Sequence, residues 1–186
     1  LSINPYYSEA ITNIGDIKQE KGLFNLAIKY YRKSLKLNPE CARTNNNLGF
    51  SYENKSEYNE AIKYYRKAIK YKSDYFESHH NMGNALKKLG ELDNALEWYK
   101  KALDIEPNNS DTLLNRGYVH LLKGNLKVGF ALYEERLFRR KIVSRPPRKK
   151  LLWDMKESLN NKHFFVYEEQ GLGDIIQFSR YLILLK

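Results

Sequence analysis

Four glycines, Gly15, Gly49, Gly83 and Gly117, stand 34 residues apart, and four tyrosines, Tyr31, Tyr65, Tyr99 and Tyr133, keep the same step. A fixed period of that length means that one short supersecondary unit is copied along the chain and stacked on its neighbours. Gly22, Ser56, Gly90 and Gly124 recur at the same interval, as the residues that turn the chain between two helices. Ala27, Ala61 and Ala95 do likewise, with Gly129 in the fourth copy.

Inside a unit the apolar residues have helical spacing. Tyr58, Ala61, Ile62, Tyr65, Ala68 and Ile69 fall on one helix face, while Glu60, Lys63, Arg66, Lys67 and Lys70 fall on the other. One such helix cannot hide its own stripe. Small residues such as Gly49 and Ala61 let two helices approach closely, and Leu48 and Tyr65 are expected to fill the contact with the next unit. Each large apolar side chain fully buried contributes about 1.5–3 kcal/mol, so several stacked units are stable where one is not.

These residues resemble the tetratricopeptide repeat, whose length is 34 and whose pattern places small residues and aromatics at these positions. The resemblance implies an all-α fold, a right-handed superhelix (α-solenoid) of about four helix pairs, with units at 8–41, 42–75, 76–109 and 110–143. Pro39 and Pro107 end the second helix of their units, because proline lacks an N–H and restricts the residue before it. Ser73 and Lys141 replace that proline, so softer helix ends are expected in the second and fourth units. Residues 1–7 read as the tail of a preceding unit, since Leu1, Ile3 and Pro5 repeat Leu35, Leu37 and Pro39. The first helix is therefore expected to expose an apolar flank, to fray or self-associate, and to leave Ile11 and Ile14 less protected than Leu48.

Charge and composition narrow the function classes. The net charge is +10 over 186 residues, yet eight basic residues and no acidic one lie between Arg136 and Lys150, so the rest of the chain is nearly balanced. That run sits in a basic linker, 144–162, at a domain joint with few interleaved aromatics, which argues against nucleic-acid binding through it. The single cysteine, Cys41, excludes an internal disulfide and a four-thiolate metal site, and it points to a reducing, cytoplasmic setting. No run of 18 or more apolar residues is present, so the sequence carries no membrane-spanning helix.

Asn13, Asn47, Asn81 and Asn115 recur once per unit, two residues before the repeated glycine. Stacking turns that recurrence into a ladder of carboxamides, each able to meet both the C=O and the N–H of an extended peptide without reading its side chains. The ladder is similar to that of the protein O-linked N-acetylglucosamine transferases, and that resemblance implies a peptide or protein partner. The same asparagines could equally cap or bridge the helices, and both readings stand at this point. The repeated tyrosines read as core, with hydroxyls reaching solvent or a backbone acceptor. His79 and His80 are neighbours on a helix and point about 100° apart, and His120 and His163 lack companions at ligand spacing, so no metal site is assigned.

After the fourth unit the pattern changes. Phe164–Tyr167 is rich in β-formers, and Gly171, Leu172, Gly173 and Asp174 lead into an apolar helical run ending at Lys186. Strand, glycine turn and helix open a doubly wound α/β domain, although the third glycine of a dinucleotide site is missing. The string from Glu169 to Leu182 resembles the start of the catalytic domain in bacterial tetratricopeptide proteins related to the lipopolysaccharide heptosyltransferases. That resemblance implies a truncated βα unit at 163–186, with Gly171 and Gly173 in a donor or acceptor loop. It further implies Asp174 as general base of a longer parent protein and a nucleotide-sugar donor for that parent. One strand and one helix form no sugar-nucleotide site, so no cofactor and no catalysis are expected of this stretch itself. The leading expectation is a partner-holding module, and a stand-alone adaptor without chemistry is the alternative.

Overall fold

The computed structural model describes residues 5–133. Eight helices follow one another: α1 (Pro5–Glu20), α2 (Phe24–Leu37), α3 (Ala42–Asn54), α4 (Tyr58–Tyr71), α5 (Phe76–Lys88), α6 (Leu92–Ile105), α7 (Ser110–Leu122) and α8 (Leu126–Tyr133). All regular structure among the described residues is helical. The expected strand, glycine turn and helix at 163–186 and the basic linker lie outside the described residues.

The repeated glycine and tyrosine explain one another. A Cβ placed on Gly15, Gly49 or Gly83 would lie 2.5, 2.6 or 2.5 Å from the ring of Tyr31, Tyr65 or Tyr99, well inside van der Waals contact. Each ring therefore lies in the space its own unit's glycine leaves open, and each of these tyrosines is fully buried. This corrects the expectation that Tyr65 fills the contact with the next unit. The fourth copy departs: Gly117 faces Leu132 and the Gly129 carbonyl, and Tyr133 stands edge-on to Tyr118 instead.

The turns inside the pairs are one motif used four times. The amides of Leu23, Glu57, Glu91 and Asn125 reach back to the carbonyls of Lys18, Tyr52, Leu86 and His120, and the preceding amide closes a shorter bond to the helix. Such a Schellman closure needs a left-handed residue. Gly22, Gly90 and Gly124 supply it with φ of 71°, 81° and 77°, and Ser56 takes the same conformation at 61°. The second helices end in one register. α4 stops at Tyr71 as α2 stops at Leu37 and α6 at Ile105, each followed by a capping amide bonded four residues back. Ser73 thus ends its helix at the same place as proline, because backbone closure sets the stop; the corresponding end of the fourth unit lies outside the described residues.

Consecutive helices pack along the chain, and in addition α1 contacts α3, α3 contacts α5, and α5 contacts α7. No comparable contact joins α2, α4 and α6 to one another. The odd-numbered helices therefore form the inner layer of a curved stack and the even-numbered helices fan out behind them. The core runs through all four pairs, from Ala27 and Tyr31 through Leu48, Tyr65 and Met82 to Val119. On α1, Ile11 enters that core at 4 % exposure, while Ile14 and Ile17 stay 40 % and 49 % exposed.

Candidate functional site

The inner layer is held together by a bond that recurs at every junction. Thr12 meets Thr44 at 2.9 Å, Ser78 donates to Asn46 Oδ1 at 3.0 Å, and His80 Nδ1 meets Thr112 Oγ1 at 2.7 Å. Thr44, Ser78 and Thr112 stand 34 residues apart and are fully buried. Buried hydroxyls need partners, and here the partner is always the side chain two positions further along the preceding inner helix's register. Sequence reasoning missed these hydroxyls, although their period was as regular as that of the glycines.

One helix turn along, the four asparagines also bridge units. Arg43 donates to Asn13 Oδ1 at 2.8 Å, Asn47 Nδ2 donates to Asp16 at 2.8 Å, Asn81 Nδ2 donates to Asn46 at 3.2 Å, and Lys87 donates to Asn115 Oδ1 at 2.7 Å. Arg43, Lys87 and Asp16 fix three of the amide orientations, because an ammonium or guanidinium only donates and a carboxylate only accepts. A carboxamide has two N–H groups and two acceptor sites. Asn13, Asn81 and Asn115 each have one of these four engaged in the bonds above, and Asn47 has two, since Asn46 donates to its Oδ1 at 3.2 Å. The ladder exists, and its rungs are oriented from within the protein.

Asp16 is the centre of the first junction. Its carboxylate accepts from Asn47 and from the Tyr31 hydroxyl at 2.8 Å and lies 3.6 Å from Arg43. The tyrosine hydroxyls do not reach solvent or backbone as expected. Tyr31 bonds Asp16 and Gln19, Tyr65 bonds Glu53 at 2.6 Å, and Tyr99 bonds Asn84 at 2.8 Å, because each ring ends beside the polar row of its own inner helix. Burial is the main reason that all three phenols are pushed up, and nearby carboxylate charge, Asp16 for Tyr31 and Glu53 for Tyr65 and Tyr99, adds to it. Burial also raises Glu53 and lowers Lys87, the latter with help from the adjacent Lys88.

The rows flanking the ladder differ between units. The stripe Thr12, Asp16 and Glu20 on α1 becomes Asn46, Phe50 and Asn54 on α3, then His80, Asn84 and Lys88 on α5, and finally Leu114, Tyr118 and Leu122 on α7. Spacing of i, i+4 and i+8 from each other on one helix face was the signal that could have found them. His79 is separate from this face: it is buried, its Nε2 bonds the Ser73 carbonyl at 2.8 Å, and its ring lies against Trp98. Among the described residues no cluster of three or more metal-ligating side chains occurs. No described helix is long and apolar enough to cross a membrane. Gly171, Gly173 and Asp174 lie outside the described residues.

Comparison with known proteins now adds to the geometry. Residues 54–90 and 83–124 match the family described as TPR repeat, and residues 8–41 match the Tetratricopeptide repeat. No curated protein matches the chain. Among solved structures, a crystal structure of MamA is similar with a TM-score of 0.67 at 24 % identity, over 73 % of this chain and 80 % of that one. A second, of MamA protein, gives 0.64 at 23 % identity over 75 % and 79 %. The first TPR of Spaghetti (RPAP3) bound to the HSP90 peptide SRMEEVD gives 0.64 at 18 % identity, over 67 % of this chain and 98 % of that one.

Proposed function

We propose, from the premise that this chain belongs to the tetratricopeptide-repeat family, that its inner face holds an extended segment of a partner protein. The observation that carries this reading is the ladder itself. Asn13, Asn47, Asn81 and Asn115 sit at one height on four stacked helices, each oriented by a neighbour and each keeping hydrogen-bonding capacity for a peptide backbone. A solved relative in fold, the first TPR of Spaghetti (RPAP3), carries an HSP90 peptide, which supports a peptide as the class of partner. Oriented polar groups of this kind bind a disordered segment at lower cost, because the protein side is already ordered.

The test is the double variant Asn47→Ala with Asn81→Ala. Peptide affinity falls tenfold or more, while stability falls by about 1–2 kcal/mol, the size expected for the lost inter-unit bonds. Intact binding with a much larger loss of melting temperature would assign the asparagines to bridging alone.

The finer reading places this module in a cytoplasmic bacterial protein as the recognition arm of a glycosyltransferase-like enzyme. The resemblance of residues 163–186 to a heptosyltransferase-like start supports it, with Asp174 as base, Gly171 and Gly173 in the loop, and a nucleotide-sugar donor for the parent protein. The exposed Tyr7, Ile14 and Ile17 of α1 support self-association at that end.

A further inference from the structure

Within that reading, the stripe beside the ladder carries more information than the ladder. Its character changes from unit to unit: carboxylates in the first, a mixed second, lysine in the third, and hydrocarbon in the fourth. On α7 the stripe is Leu114, Tyr118 and Leu122, with Leu122 66 % and Tyr118 39 % exposed. On the neighbouring α5, Lys87 and Lys88 place two ammonium groups side by side, with Glu53 as the carboxylate that faces them from α3. Lys87 bonds Asn115, which adjoins Leu114 on α7, so the cationic pair and the apolar stripe are tied into one surface.

We infer that units three and four together select the partner segment by an acidic residue followed, or preceded, by an apolar one. The carboxylate side chain is held by Lys87 and Lys88, and the apolar side chain lies on Leu114, Tyr118 and Leu122. Charge complementarity names the occupant: a carboxylate in this groove offsets the repulsion between the two lysines. Neighbouring helices lie about 8–10 Å apart and an extended chain advances about 3.3 Å per residue, so about three residues separate the two side chains. The burial that depresses Lys87 is eased by the same carboxylate, whose charge favours the protonated amine. The carboxylates Asp16 and Glu20 at the far end repel such an acidic residue, which fixes where along the groove it sits.

The test uses the 186-residue protein and 12-residue Gly-Ser peptides blocked at both ends, one carrying two glutamates and, three residues on, two leucines. Calorimetry is expected to give at least tenfold tighter binding than for versions with glutamine for glutamate or serine for leucine. Lys88→Glu, at an exposed position that leaves the core intact, removes that preference, and replacing the peptide's glutamates by lysines restores it. Leu122→Ser weakens only the leucine-bearing peptides. Equal binding of all peptides, lost in the Asn47→Ala, Asn81→Ala protein, overturns this inference and leaves the proposed function standing. Failure of every peptide to bind at millimolar concentration overturns the proposed function itself. A dimer that Leu122→Ser dissociates, with no change in peptide preference, assigns the apolar stripe to a second copy and overturns the inference.

Discussion

Ser56 does what three glycines do elsewhere in the chain, and it does so with a side chain. Its φ of 61° is the left-handed conformation that closes the turn between α3 and α4, and an L-residue with a Cβ pays about 1–2 kcal/mol to hold it. Part of that cost returns when glycine is introduced, because glycine loses more freedom on folding. Ser56→Gly is therefore expected to stabilise the protein by about 1 kcal/mol, seen as a higher urea midpoint with unchanged slope. The only side-chain bond at risk is a 3.4 Å contact from the Tyr58 hydroxyl at the surface. A lower midpoint would mean that this contact outweighs the backbone strain. At this scale the sequence was readable where a residue type repeats. The glycine, tyrosine and turn positions were found, while the orientation of each asparagine was not. That orientation depends on Arg43, Asp16 and Lys87, which do not repeat and which reach across from another helix.

Helices in this chain are locally ordinary, and their register comes from the junctions between units. α5 and α7 meet through His80 and Thr112, with Asn109 capping α7 by accepting from the Thr112 amide at 3.0 Å. Thr112→Val keeps the shape and removes the hydroxyl, leaving a buried imidazole nitrogen without its partner at a cost of about 1–3 kcal/mol. Because each unit touches only its neighbours, the effect is expected to be local. Amide exchange should quicken in α7 and α8 and stay unchanged in α1 to α3. Uniform acceleration along the chain would show that the stack opens as one unit. The expected helix pairs appear, and the units 8–41, 42–75 and 76–109 begin and end where the 34-residue period places them. Two features escaped the reading. The tyrosine ring lies on its own unit's glycine, since a period says which residues are equivalent and not which of two faces they pack on. The fourth pair departs from the others, because Leu121 and Leu132 come against Gly129 and Gly117 there.

The whole molecule presents two ends and two sides of different character. The α1 end keeps Tyr7, Ile14 and Ile17 at 56 %, 40 % and 49 % exposure, an apolar flank on an otherwise charged surface. Replacing Ile14 and Ile17 by lysine is expected to lower the apparent mass in sedimentation equilibrium at high protein concentration without reducing stability, since neither side chain enters the core. A wild-type chain that is monomeric throughout would remove self-association from the account. Between the ends, the two sides are joined unequally. Inner helices touch one another directly, while each outer helix meets the next pair only through its inner member. A stack jointed along one edge behaves like a hinged rule: it can wind tighter or looser by small rotations at every joint, with the hydroxyl bonds as pivots. A guest seated against the inner edge would change the pitch of the whole array, so that an event at one joint is felt as displacement at the far tip.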